Sequence, residues 1–533
     1  MKTLFYNAKV YTGEGFAKAF LVNDTKIEEV YDQIPELNDC KKVDLHGHFV
    51  CAGFNDSHMH LLNFGQSLIM AKLNENTSSL QGMMEYLSDF IKEHDFSNGA
   101  WVRGRGWNQD YFEDVRRMPN KYDLDGVCRD LPIMLTRACG HCCVVNSKVL
   151  ALAGITADTP SPEGGSVGMT DGQPDGRLYD NAMELLEGVL PLPGKEELKQ
   201  MIRLACQNLN RYGVTSSQTD DYCVFRAIPF ETVNAAYREL EESGELTVRV
   251  YEQSNFTELS ELQRFVEAGN VTGAGTDRFR IGPLKMLGDG ALGSRTAHLS
   301  SPYPGTADCG FNLFSDEHMN SMVSYAHNHG MQVAIHAIGD ACLDQVLNAV
   351  ELALQERPRA DHRHGVVHCQ ASRPDQLERI ARLNMHVYAQ SIFLDYDNHI
   401  VNKVLTPELA ASSYSWKTLM QKGVSVSNGS DCPVELPDVM EGIQCAVTRC
   451  SLDGTGPYLP GEAFTVQEAL DSFTIRSAEG SFEENSKGRI AEGYLADFVV
   501  LGADPFETEP TAIHRIPVLA TYLGGRCVYS AEA

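Results

Sequence analysis

Short apolar runs broken by polar, glycine-containing turns organise both ends of this chain. Residues 3–11 alternate in part, Thr12-Gly13 interrupts them, and residues 19–22 resume the apolar pattern, which predicts short strands joined by turns. The far end repeats this with residues 496–501, 517–522 and, beyond Gly524-Gly525, 526–529. Two strand-rich ends around a mixed middle predict one small β domain built from both termini, residues 1–50 and 488–533.

The middle, residues 51–487, changes rhythm. Apolar strand candidates lie at 51–56, 213–217, 248–253, 284–287, 333–336, 365–368, 385–389 and 424–427, and helix-like stretches follow most of them. A strand–helix alternation predicts an α/β fold with a parallel sheet. Eight such strands are the number that closes a (β/α)8 TIM barrel. Between strands one and two lies more chain than one helix needs. Residues about 95–190, rich in Gly, Pro and Asp, are expected to form an insertion over the barrel mouth. There is no internal repeat and no low-complexity tract.

Composition narrows the function. A chain of 533 residues that is 43% hydrophobic and 22% charged can bury a large core. Lys plus Arg number 44 against 72 Asp plus Glu, a net charge of −28, which argues against nucleic acid or an anionic membrane as the main partner. No apolar run reaches the length of a membrane span, and the first residues lack the apolar core of a secretion signal. Fifteen cysteines, an odd number without a framework, are the pattern of thiols kept reduced in a cytoplasm.

The candidate chemistry sits at strand ends. In Gly53-Phe54-Asn55-Asp56-Ser57-His58-Met59-His60, two histidines at i and i+2 of an extended segment point the same way. By itself such a pair is weak evidence, and the chain holds a second one, His46-Gly47-His48. Other residues strengthen it. His336 ends strand five, His368 ends strand six, Asp431 follows strand eight, and Lys285 lies within the apolar strand four. In a TIM barrel the C-terminal ends of different strands meet at one mouth. Imidazoles from three strands plus a carboxylate make a nitrogen and oxygen donor set for one or two divalent metals, zinc first.

Three other motifs lack their structural context. Cys139-Gly140-His141-Cys142 matches a disulfide-oxidoreductase spacing, but the chain continues as apolar Cys143-Val144-Val145 rather than as a helix. Gly164-Gly165-Ser166-Val167-Gly168 is preceded by a turn, not by the strand a nucleophile elbow requires. Gly288-Asp289-Gly290-Ala291-Leu292-Gly293 has no Gly-Lys-Ser/Thr to hold phosphate.

The first motif, the run Lys285 to Gly290, Ile335-His336-Ala337-Ile338-Gly339-Asp340, Val367-His368 and Gly429-Ser430-Asp431-Cys432-Pro433-Val434 together resemble the amidohydrolase superfamily. They resemble in particular amidohydrolase family 3, the YtcJ-like metal-dependent hydrolases. Gly140-His141 with Val145-Asn146-Ser147, and the run Ala491 to Leu501, fit the same branch. Ala52 and Val367 depart from its common Pro and Glu without removing a ligand.

The resemblance spans nearly the whole chain. It implies a (β/α)8 barrel, a β-sandwich from both termini, and hydrolysis of a non-peptide C–N bond in a small-molecule amide at a metal centre. It places His46 and His48 in the β domain. It implies that Lys285 is carboxylated, its carbamate bridging two cations; the alternative is a packed lysine whose amine meets Asp289. Asp431 is expected both to ligate metal and to carry the proton from the attacking water to the leaving nitrogen. His141, Trp107 and Arg105 are candidate substrate contacts. A homodimer is compatible with the sequence. A mononuclear deaminase and a non-catalytic assembly barrel remain as other readings.

Overall fold

The computed structural model describes residues 2–73, 78–94, 96, 100–115, 117–138, 142–162, 165–186 and 188–531. They fall into two compact units, one made of residues 1–64 and 198–533, the other of 65–197.

The first unit holds the barrel. Its strands, in hydrogen-bonded order, are Phe54–Met59, Val214–Thr219, Arg249–Asn255, Phe279–Leu287, Val333–Ala337, Gly365–His368, His386–Ala389 and Val426–Asn428, barrel strands one to eight. Every neighbouring pair along that path is parallel. All eight strands read from the apolar runs are present. The helices between them follow the same logic of burial. In Asp340–Glu356, Leu343, Val346, Leu347 and Val350 are buried at helical spacing, and Asp340 in the first turn favours the positive end of the helix dipole.

Strands one and eight close the ring just beyond their paired segments. Asp431 N donates to His58 O at 2.8 Å, and His60 N donates to Cys432 O at 2.8 Å. Beneath them Asp56, with no exposed surface, accepts from Ser430 N at 3.0 Å and from the Ser430 hydroxyl. Gly429 permits this approach, since a Cβ there would lie 2.5 Å from His58 N.

The termini supply an eight-stranded sheet of residues 2–52 and 498–530, seven strands in one series and Lys41–Asp44 pairing with Lys2–Tyr11 off that path. Phe5 meets Phe20, Phe498 and Tyr522 with ring centroids 4.9–5.2 Å apart. This sheet moves one boundary. Strand one begins at Phe54, not at residue 51, because Phe49–Ala52 pairs antiparallel with Phe498–Leu501. Gly53 separates the two sheets, and a Cβ there would collide with Thr215 of strand two.

The second unit also starts earlier than expected, at residue 65 rather than near 95, and ends at 197. It holds a six-stranded sheet and the helix Leu80–Glu93. Ser79 caps that helix by accepting from Gly82 N at 2.9 Å. Leu87, Trp107, Leu135 and Val144 are buried in one cluster.

Within the first unit, Arg249 of strand three is tied to Asp497, which precedes the strand Phe498–Leu501. Its Nε and Nη2 donate to the two carboxylate oxygens at 2.6 and 3.0 Å, and Gly524 N adds a third donor at 2.7 Å. Burial raises the Asp497 carboxyl, but the Arg249 charge and its hydrogen bonds outweigh it and hold the group below its usual value. Removing one partner of a buried pair costs about 3–5 kcal/mol because the other charge is left stranded. Asp497→Ala is therefore expected to lower the melting temperature clearly. Arg203→Gln, which breaks the more exposed pair with Glu245, should change it little. Equal shifts in a thermal melt would contradict this ranking.

Candidate metal centre

The barrel brings the candidate ligands selected from the sequence to one end. Period two places His58 and His60 on the same side of the extended chain leaving strand one. His336 lies in strand five, His368 closes strand six, and Asp431 stands three residues beyond strand eight. Asp431 Oδ1 is 3.2 Å from His58 Nε2 and 3.1 Å from His60 Nε2. The His368 ring centroid lies 4.5 Å from that of His336 and 5.7 Å from that of His58.

The proton on each imidazole follows from its other contact. His58 Nδ1 faces Gln253 Oε1 at 2.7 Å, and His368 Nδ1 faces Gln390 Oε1 at 2.7 Å. Both amides are oriented by their own N–H groups, which donate to Ser57 O and Tyr388 O. His60 Nδ1 faces Asp220 O at 3.2 Å, and His336 Nε2 faces Gly290 O at 3.0 Å. An acceptor opposite one ring nitrogen places the hydrogen there, which in the neutral ring leaves a lone pair on the other. His58 and His60 thus aim Nε2 lone pairs at the same carboxylate oxygen. Such an arrangement calls for a proton or a cation between them.

Electrostatics separates the groups. Burial, with smaller effects from Lys285 and His60, pulls His58 below its usual value. Burial and the neighbouring His336 push His368 far down. For His60 burial also acts downward, but hydrogen bonds to Asp431 and Cys223 and the nearby carboxylates hold it well above the normal range. Burial raises Asp431, yet the two histidines outweigh it and keep the carboxylate ionised. His58, His60 and Asp431 offer ligand atoms within 4.8 Å of one another, and so do His60, Asp220 and Cys223. The nitrogen and oxygen donors fit a divalent cation.

Lys285 is buried at 1% exposure, with Nζ 3.8 Å from Asp220 Oδ2. Asp289, the partner suggested by its place in the sequence, is used elsewhere. It accepts from the main chain of His298, Ile338 and Gly339 and lies 3.3 Å from His336 Nε2.

The substrate candidates divide. Trp107 is fully buried in the core of the second unit, and its indole N–H donates to Leu135 O at 3.2 Å. That packing accounts for it without a substrate. Arg105 is exposed on the same strand. His141 lies outside the described residues, while Cys142–Val145 is a strand, as its apolar run predicts. The sequence did not single out Gln253, Gln390 or Asp220. Only Asp220 carried a signal, an acidic pair with Asp221 directly after strand two.

A family model described as "Amidohydrolase family" matches residues 41–529. The chain is 32% identical to a putative amidohydrolase, YtcJ, of Bacillus subtilis, over 99% of both chains. It is 27% identical to an N-substituted formamide deformylase of Arthrobacter pascens, over 91% of this chain and 89% of that one. A crystal structure of an uncharacterized metal-dependent hydrolase from Pyrococcus furiosus superposes with a TM-score of 0.78 at 28% identity. It covers 95% of this chain and 100% of its own.

If Gln253 sets the His58 tautomer, Gln253→Leu should weaken metal binding by about 10–100-fold, the usual effect of removing such a partner. Competition against a chelator measures it. Unchanged affinity in the variant would remove Gln253 from the centre.

Proposed function

The chain belongs to the amidohydrolase family, and from that premise we propose that it is a metal-dependent hydrolase cleaving a non-peptide C–N bond of a small-molecule amide. One observation carries the reading: two imidazoles, His58 buried and His60 partly exposed, each with one ring nitrogen turned to an oxygen acceptor, share one oxygen of Asp431. His58, His60, His336, His368 and Asp431 would hold one or two cations, with zinc favoured by the donor types. A divalent cation held there supplies acidity to a coordinated water and polarises a carbonyl.

The chain's own groups do the rest. Gln253, Gln390 and the carbonyls of Asp220 and Gly290 keep the four imidazoles oriented. The Asp431 carboxylate takes a proton from the attacking water and returns it to the departing nitrogen, so that acid and amine leave with atoms and charge balanced. Lys285, buried against Asp220, is assigned the carbamate formed from its neutral amine and carbon dioxide with loss of one proton. The relative that acts on N-substituted formamides favours simple N-acyl substrates. Fourteen described cysteines are free thiols, and the reading places the protein in a reducing cytoplasm.

Metal-loaded protein offered N-formyl, N-acyl and cyclic amides is expected to release amine and acid from at least one class. Protein shown to carry metal but inert to the whole panel would overturn the reading. Asp431→Asn, compared at matched metal content, should lose about 10²–10⁴-fold in kcat with little change in KM. A near-normal kcat leaves Asp431 a ligand only. Lys285→Ala should lose metal and activity, and bicarbonate with a short carboxylic acid should restore part of both. An unmodified amine at Lys285 in a metal-loaded crystal would exclude the carbamate.

A further inference from the structure

Beside the His58–Asp431 pair lies a group that the proposed reaction does not use. Asp220 directly follows strand two, and Cys223 stands in the turn three residues later. Their ligand atoms and a ring nitrogen of His60 all lie within 4.8 Å of one another. Cys223 Sγ is also 3.4 Å from the main-chain oxygen of Asp220.

The Asp220 side chain is incompletely satisfied. It has no exposed surface; Oδ2 accepts from Asn255 Nδ2 at 3.1 Å and faces Lys285, while Oδ1 has no hydrogen-bond partner. A buried carboxylate oxygen without a donor is costly to keep. Its neighbour Asp221 shows the contrast. Asp221 accepts from Leu62 N, the Thr219 hydroxyl and the Tyr237 hydroxyl, which commits both of its oxygens to the scaffold. Asp220 therefore keeps an open lone pair at the barrel mouth while Asp221 does not.

We propose that Cys223, as a thiolate, and Asp220 are ligands of the cation held by His60. The site then contains one sulfur donor in addition to its nitrogen and oxygen donors. Binding breaks the Cys223 S–H bond, and the proton leaves to solvent as the sulfur–metal contact forms. A soft sulfur ligand biases the position toward zinc, cobalt or cadmium and away from magnesium, calcium and manganese. This rests on the reading that the barrel mouth binds a divalent cation, and adds to it which residues complete the sphere.

The test is absorption spectroscopy of the full chain loaded with cobalt(II). The expected result is a near-ultraviolet thiolate-to-cobalt charge-transfer band that Cys223→Ser and Cys223→Ala both abolish while cobalt stays bound and its visible bands shift. Asp220→Asn should change the visible bands and weaken cobalt binding. Cys527→Ser, which removes an exposed thiol, should leave the spectrum unaltered. Full cobalt occupancy without the band, or a band that survives both Cys223 substitutions, overturns the proposal and leaves the hydrolase reading intact. A chain that binds no cobalt at all overturns that underlying reading as well.

Discussion

The structure depends most on how strand eight is fastened to strand one. No ladder joins them. Asp56 grips Ser430 from below, while the main chain crosses at Asp431–His58 and His60–Cys432. Gly429 makes room, because any side chain there would press on His58 N and on the Asp56 carboxylate. The same few bonds close the barrel and set Asp431 against His58 and His60. The closed cylinder and the His58–His60–Asp431 cluster therefore stand on the same contacts.

Around this seam the centre is held by groups that never need to touch a metal. Amide side chains from strand three and from the loop after strand seven orient His58 and His368. Main-chain carbonyls orient His60 and His336. Each imidazole therefore presents a chosen nitrogen before any cation arrives. The ordering cost is met by the fold, the kind of support that raises affinity and restricts geometry in metal sites generally.

Much of this was legible in the sequence. Eight apolar runs marked the barrel strands, and the rule that ligands cluster at C-terminal strand ends selected His58, His60, His336, His368 and Asp431 as candidates, which the fold places side by side. Boundaries failed for physical reasons. The run through Cys51, Ala52 and Phe54 is apolar throughout, so nothing in it shows that one sheet ends and another begins at Gly53. The helix Leu80–Glu93 has the pattern of an ordinary barrel helix, which hid the early start of the second unit. Trp107 among glycines looked like a pocket wall and is core. Glutamines carry no ligand signature, and the lysine's partner came from the segment just after strand two, not from Asp289 four residues on. These contacts exist only once distant segments meet.

That distance has a consequence for biosynthesis. His60 and Asp431 are 371 residues apart. Chains emerge from the ribosome N-terminus first and domains fold as units. The histidines of strand one are thus made early but lack their carboxylate partner Asp431 until strand eight has been synthesised and the seam can close. The His58–His60–Asp431 cluster is therefore completed late, in a nearly finished polypeptide, and truncated translation products would lack it.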